Sequence, residues 1–230
     1  MRNAVQDIFS EVPKTYELVN HVLTLGMDIL WRRKTVKTAI KTGGTRWLDV
    51  CTGTGETAAY LKHYAGKDTK VYAADFSLPM LRAAKKKKSC GDIEFSLSDI
   101  KKLPFRNNTF DLITISFATR NININRKALA ESFKELYRIL RPGGNFINLE
   151  TSQPSSPTIK KLFHLYIKLF IKPVGRLISG SKDGYAYLSN TIPRFYPAEE
   201  LAEIIKQSGF KKVSFTKLFP GTAAIHKCTK

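Results

Sequence analysis

The sequence predicts an α/β chain, one domain built on a mostly parallel sheet. Three observations predict it. Short apolar runs alternate with stretches of helical spacing through the middle of the chain, a glycine turn joins the first run to the first helical stretch, and Pro220-Gly221 separates two short terminal strands. With 230 residues and 43% hydrophobic content, the chain can bury one such core and a small cap, and is too short for two full domains.

Taken in order, residues 1–41 lack strand alternation. They carry helical spacing around Tyr16, Val19 and Leu23 and again around Met27, Leu30 and Trp31, with Pro13 where a helix can begin. These two helices precede the first strand and are expected to form a helical cap. Residues 42–151 form the expected core, with strands near 46–51, 70–75, 92–97, 110–117 and 145–151 and helices near 55–66, 77–88 and 126–140. Strand-helix-strand alternation means parallel strands joined by right-handed crossovers.

From 152 to 196 the alternation stops; a helix near 197–208 and strands near 211–217 and 222–228 follow, the last two forming a hairpin in which one strand runs antiparallel to the rest. Within the interruption, Ile159, Leu162, Phe163, Tyr166, Leu169 and Phe170 share one helical face, while Lys160, His164, Lys168 and Lys172 lie four apart on another. Leu165, Ile167 and Ile171 widen the apolar side beyond what a surface helix needs. Such a basic amphipathic helix suits contact with both the domain and a lipid or greasy ligand; a lid packed only on its own protein is the other reading.

The net charge of +19 favours anionic surfaces, either phospholipid headgroups or nucleic acid. No nucleic-acid-binding motif accompanies it, and no apolar run reaches the roughly 20 residues that span a bilayer. Three scattered cysteines, Cys51, Cys90 and Cys228, fit free thiols in a reducing compartment, and no metal site is expected. His21, His63 and His226 have no supporting context in the sequence, and His164 reads as a solvated histidine.

The chemistry concentrates in Trp47-Leu-Asp-Val-Cys-Thr-Gly-Thr-Gly-Glu-Thr-Ala58, which reads as strand, tight loop and helix. Gly53 and Gly55 are expected to bring the backbone close to a ligand, and the helix that follows aims free N–H groups at the same place. Asp75 ends the next apolar run, the position from which a carboxylate reaches ribose hydroxyls. A nucleoside-containing cofactor is implied. The pattern Gly53-x-Gly55-x-x-Ala58 also fits nicotinamide or flavin; Asp49 tips the choice toward S-adenosylmethionine, because a carboxylate at the loop suits a sulfonium and repels a pyrophosphate.

The expected strands, the loop after the first, the acid after the second and the closing hairpin resemble the class I S-adenosylmethionine-dependent methyltransferases. Further segments resemble the menaquinone/ubiquinone biosynthesis C-methyltransferases over nearly the whole chain. They are Tyr16-x-x-x-Asn20 with Leu30-Trp31-Arg32, Leu48-Asp49-Val50 with Gly53-Thr54-Gly55, Leu103-Pro104-Phe105 with Asn108-Thr109-Phe110-Asp111, 113–117 with Arg120-Asn121, Leu140-Arg-Pro-Gly-Gly144, and Leu177-Ile-Ser-Gly180 with Tyr185-x-Tyr187-Leu188. Cys51-Thr52, Glu56 and Ala118-Thr119 depart from the usual family residues.

The resemblance implies a single Rossmann-like domain with a seven-stranded mostly parallel sheet, a C-terminal antiparallel hairpin, N-terminal helices and a helical insertion after strand 5. It implies S-adenosyl-L-methionine as cofactor, with Gly53, Thr54 and Gly55 near its methionine part, Asp75 on the ribose, Asp99 and Ile100 flanking the adenine, and Ser116 as a further contact. Arg120 is the expected cation for a phenolate, Asn121 a positioning donor, and Tyr185 with Asp183 a second acid/base or orienting pair. The implied reaction is C-methylation of a polyprenylated, demethylmenaquinol-type ring, and the alternatives are another hydrophobic small molecule or, less so, nucleic acid. The implied partners are that lipophilic quinol and an anionic membrane surface, with a homo-oligomer allowed and a cytoplasmic location on the inner face of the cell membrane.

Overall fold

The computed structural model describes residues 15–123, 125–179 and 183–230, without the side chains of Tyr16, Arg176, Ser179, Asp183 and Tyr185. Pro13 lies outside the described residues.

Two helices come first, α1 (Tyr16–Leu23) and α2 (Met27–Ile40). The core follows as β1 (Arg46–Val50), α3 (Glu56–Tyr64), β2 (Lys70–Asp75), α4 (Leu78–Lys85), a 3-10 turn at Lys88–Cys90, β3 (Glu94–Leu97), β4 (Phe110–Ser116), the short α5 (Thr119–Ile122), α6 (Arg126–Ile139) and β5 (Leu140–Thr151). The insertion holds α7 (Pro157–Tyr166), a π turn at Ile167–Ile171, α8 (Lys172–Ser179), α9 (Asp183–Thr191) and a 3-10 turn at Ile192–Arg194. The chain ends in α10 (Ala198–Gln207), β6 (Lys212–Leu218) and β7 (Ala223–Thr229).

The seven strands form one sheet in the order β3-β2-β1-β4-β5-β7-β6. All neighbours pair in parallel up to β5, and β7 is the antiparallel member, hydrogen-bonded between β5 and β6. The strand order reverses beside β1, so β1, β2 and β4 deliver the loops at their carboxyl ends to one crevice, where open α/β sheets bind ligands.

Helices cover both faces. Leu129, Phe133 and Leu136 of α6 and Leu201, Ile204 and Ile205 of α10 bury one helical stripe each against Phe110, Ile113, Ile115 and Phe146. Asn125 starts α6 by accepting the Ala128 amide at 2.9 Å on its side-chain oxygen. On the other face, Val36 and Ala39 of α2 join Ala58 and Leu61 of α3 against Trp47, Leu112 and Ile147. The same buried face of α2 becomes charged toward its N-terminus, where Asp28 and Arg32 are 1% and 5% exposed. That end of α2 overlies the crevice.

Two expectations are revised. The fifth strand starts at Leu140, earlier than the expected 145, because Phe110 pairs with Leu140 before a register shift carries the ladder on to Leu112 and Asn145. The insertion helix is interrupted by the π turn, in which Phe163, Ile167 and Ile171, four apart, keep to one inward line and pack with Val19, Leu23, Ile192 and Leu188. Leu162, Leu165, Leu169 and Phe170 are thereby left outside, about half exposed. Among the described residues no helix is long and apolar enough to cross a membrane.

Candidate active site

The loop after β1 is built from left-handed backbone. Cys51, Gly53 and Gly55 take φ of 54°, 57° and 81°, which folds the chain back on itself before α3 begins. The two glycines do different work. A Cβ on Gly53 would meet nothing within 4 Å, so open space lies in front of the loop there. One on Gly55 would lie 3.1 Å from Ala84 Cβ and 3.2 Å from Cys90 Sγ, so Gly55 lets the loop pack against α4 and the 3-10 turn. The side of Gly55 that a Cβ would occupy faces protein, a packing role beside the expected approach to a ligand. Thr54, between the two glycines, is buried.

Asp75 ties β2 to this loop. Its Oδ2 accepts the Gly53 amide and its Oδ1 the Ser77 amide, each at 2.8 Å. Burial pushes its pKa up, and the Ser77 and Gly53 amides pull against that shift. A carboxylate oxygen accepts more than one hydrogen bond, so both atoms keep capacity for ribose hydroxyls. Ser77 Oγ and Ser116 Oγ, in the loop after β2 and at the end of β4, are buried without a hydrogen-bond partner. Unpaired buried hydroxyls at this rim, with the open side of Gly53 and the acid Asp75, fit a nucleoside with a polar tail.

Asp49 sits beneath the loop, 1% exposed, accepting Thr52 Oγ1 and Thr114 Oγ1 at 2.6 Å each. Burial raises its pKa to about 6, against those two hydroxyls and the nearby charge of Arg32. Cys51 is held protonated, first by burial and then by the carboxylates of Asp75, Asp49 and Asp99 around it. That places Asp99 near the loop. Its side chain is exposed and spends Oδ1 on the Lys101 amide at 2.9 Å, which starts a turn, while Ile100 is 6% exposed in the cluster of Leu103 and Phe110. Both expected adenine contacts therefore also have local structural tasks.

On the far side of Ser116 the chain turns through Phe117, φ 58°, into α5. Arg120 is 7% exposed; its amide donates to Glu150 Oε2 at 3.0 Å, and its Nε is buried without a hydrogen-bond partner. Asn121 beside it has a buried, unpartnered Oδ1. Glu150, 0% exposed near the end of β5, also accepts the Thr151 amide and hydroxyl. Tyr187 of α9 lies within electrostatic range of this pair: burial pushes its pKa up, with Arg120 lowering it and Glu150 raising it. The side chains of Tyr185 and Asp183 lie outside the described residues. Thus Arg120, Asn121 and Ser116 come together at one rim, and Gly53, Thr54 and Asp75 at the adjoining one.

Sequence reasoning gave no role to Ser77 or Glu150, and named Arg32 and Tyr187 only within family-like segments. Glu150 ends an apolar run, Ile147-Asn-Leu-Glu150, and an acid in a buried strand is the signal that could have found it. His21, which has no context in the sequence, has one in space: Nδ1 lies 2.8 Å from Asp28 Oδ2 and Nε2 3.6 Å from Glu56 Oε1. Ligand atoms of these three residues fall within 4.8 Å of one another. Each ring nitrogen faces a different carboxylate, so His21 of α1 sits between Asp28 of α2 and Glu56 of α3. His164, expected to be solvated, places Nε2 2.8 Å from Gln153 Oε1, while the Gln153 amide donates to Ile192 carbonyl at 2.9 Å, pinning α7 to the insertion's end.

Residues 1–230 match the model of the ubiE/COQ5 methyltransferase family. A protein of Desulfotalea psychrophila named ubiquinone/menaquinone biosynthesis C-methyltransferase UbiE is 37% identical over 96% of this chain and 88% of its own length. The demethylmenaquinone methyltransferase of Chlorobaculum parvum is 36% identical over 100% and 93%. Among solved structures, an S-adenosylmethionine-dependent methyltransferase of Thermotoga maritima superposes with a TM-score of 0.69 at 18% identity, covering 98% of this chain and 99% of that one. The fold, the built loop and the full-length match agree: the chain belongs to the ubiE/COQ5 methyltransferase family and is an S-adenosylmethionine-dependent methyltransferase.

Proposed function

We propose that the chain methylates a ring carbon of a polyprenylated quinol of the demethylmenaquinol type, in respiratory quinone biosynthesis. The observation that carries this reading is Arg120, a guanidinium almost fully buried with Nε unpaired and, among the described residues, no carboxylate in ion-pair contact with it. A buried cation without a partner is costly, and an anion that arrives with the substrate offsets that cost. The names of the relatives, demethylmenaquinone methyltransferase among them, support a quinol as the source of that anion.

S-adenosylmethionine supplies the electrophile, a methyl group already activated on a sulfonium. Gly53, Thr54 and Gly55 would line its methionine part; Asp75 would take the ribose, Asp99 and Ile100 the adenine, and Ser116 and Ser77 would offer hydroxyls beside it. Asp49 favours the positive charge. The acceptor's ring hydroxyl loses its proton to water, and Arg120 holds the oxyanion while Asn121 orients the ring. Charge from that oxygen would flow to the ring carbon, which would take the methyl group and leave the donor as a neutral thioether. The carbon then sheds its hydrogen as a proton and the oxygen regains one. Tyr187, kept as a neutral phenol, can donate to the second ring oxygen, and Tyr185 and Asp183 at the start of α9 are the further orienting pair.

Residues 152–196 cover the acceptor in this reading, and its isoprenoid tail leads out to a membrane surface. Leu162, Leu165, Leu169 and Phe170 stand half exposed, with exposed Lys160, Lys161, Lys168 and Lys172 around them, a pattern suited to an anionic bilayer face.

The test is Arg120→Met. Affinity for S-adenosylmethionine should stay within about threefold of wild type while turnover falls about 100-fold or more, because the guanidinium acts on charge that develops at the acceptor. Collapse of cofactor affinity with normal turnover per bound complex would refute the role.

A further inference from the structure

Arg32 is the second buried guanidinium facing the crevice, and no role above uses it. It reaches over from α2, 5% exposed, with its charge 5.1 Å above the Phe117 ring. Nη1 donates to Thr57 Oγ1 at 3.0 Å, in the first turn of α3. Nε lies 3.5 Å from Glu56 Oε2, an ion-pair contact in which Nε is still without a hydrogen bond. Among the described residues Nη2 has no hydrogen-bond partner either. A guanidinium carries five N–H donors in a planar fork, so most of its capacity here is unspent.

Two carboxylates lie near it, Asp49, which accepts two hydroxyls, and Glu56, which also faces His21, and neither takes a hydrogen bond from the guanidinium. Around the start of α3 and the loop before it the field is thus mixed: carboxylates that suit a sulfonium and an ammonium, and one fork that suits a carboxylate. The N-terminus of α3 adds its own preference for negative charge at the same spot. An amino-acid zwitterion needs both signs at once, and the methionine end of the methyl donor is such a group.

We propose that Arg32 binds the methionine carboxylate of S-adenosylmethionine, so that the N-terminal helices form part of the cofactor site. The inference rests on S-adenosylmethionine being the methyl donor, which titration of wild-type protein with that ligand tests by itself. Arg32 belongs to α2, whose N-terminal end also carries Asp28, hydrogen-bonded to His21 of α1. Cofactor binding therefore draws on residues that precede the sheet, and it selects the intact amino acid over shortened analogues.

Calorimetric titration with S-adenosylmethionine and with decarboxylated S-adenosylmethionine, which keeps the sulfonium and the amine, tests this directly. Wild type should prefer the carboxylated ligand by about tenfold or more, the scale of a charge-assisted hydrogen bond. R32M should lose most of that preference, with affinity for the decarboxylated ligand changed by less than about threefold; R32K, which keeps the charge and loses the fork, should lie between. Circular dichroism checks the fold of each variant, and if R32M does not fold the R32K result decides. No preference in wild type, or equal weakening of both ligands in the variants, would overturn the proposal and leave Arg32 a structural residue.

Discussion

The Arg120 amide donates to Glu150 Oε2 at 3.0 Å, and that carboxylate, 0% exposed, also receives the Thr151 amide and hydroxyl. A residue near the end of β5 thereby fixes the start of the short helix that presents Arg120. Replacing Glu150 by Gln sets a side-chain N–H₂ among three donors.

Glu150→Gln should therefore cost about 1–3 kcal/mol of stability and lower turnover, while leaving S-adenosylmethionine affinity within about threefold. Denaturant unfolding, titration and steady-state rates on one preparation check all three. Unchanged stability and turnover would show that Glu150 does not hold Arg120 in place.

The pH dependence follows from Asp49, whose pKa is raised to about 6 by burial. Between about pH 4 and about pH 6 the folded protein keeps a proton that the unfolded chain has lost. This group's stabilising contribution is therefore complete below about pH 4 and is lost as pH rises through about 6, a change of about 3 kcal/mol. A sulfonium favours the ionised form, whereas the neutral thioether product does not. Affinity for S-adenosylmethionine relative to S-adenosylhomocysteine should rise between about pH 5 and about pH 7 and then level off, and Asp49→Asn should flatten the curve. A ratio independent of pH in wild type would remove Asp49 from sulfonium recognition.

Membrane association is checked by vesicle flotation. Binding to anionic vesicles should be strong at low salt, fall as screening increases, and weaken when Lys160, Lys161, Lys168 and Lys172 are neutralised. Replacing Leu162, Leu169 and Phe170 with Ser should reduce activity on long-tailed acceptors more than on short soluble analogues. Flotation absent at low salt, or equal loss on both acceptors, would favour a lid that serves only the protein itself.

Local patterns carried much of the fold. The strand at Lys70–Asp75 was readable to the residue, because an apolar run ends in a charge at a loop, and the Pro220-Gly221 turn announced the hairpin. β5 was cut short because Arg141-Pro-Gly-Gly144 reads as a loop, whereas Leu140 pairs with Phe110. The insertion face was rotated because helical spacing assumes regular turns, and the π turn brought Ile167 and Ile171 inward. The nearness of Gly53 and Asp75 was legible because their spacing reflects the loop and the strand beside it. Arg32 and Glu150 were not: a charge in a helix or strand looks like a solvated side chain until the sheet brings Thr57, Phe117 or the Arg120 amide against it. The packing of Gly55 against Ala84 was not legible either, because glycine next to a ligand and glycine next to a side chain look alike in sequence.

The central claim is carbon methylation of a quinol, and one measurement reads it directly. Incubating the protein with demethylmenaquinol in lipid vesicles and S-adenosylmethionine labelled with deuterium on the methyl, then analysing the lipid extract by mass spectrometry, should give a quinone carrying the labelled methyl on a ring carbon. A label found on oxygen, or no labelled lipid from protein that binds S-adenosylmethionine, would contradict it.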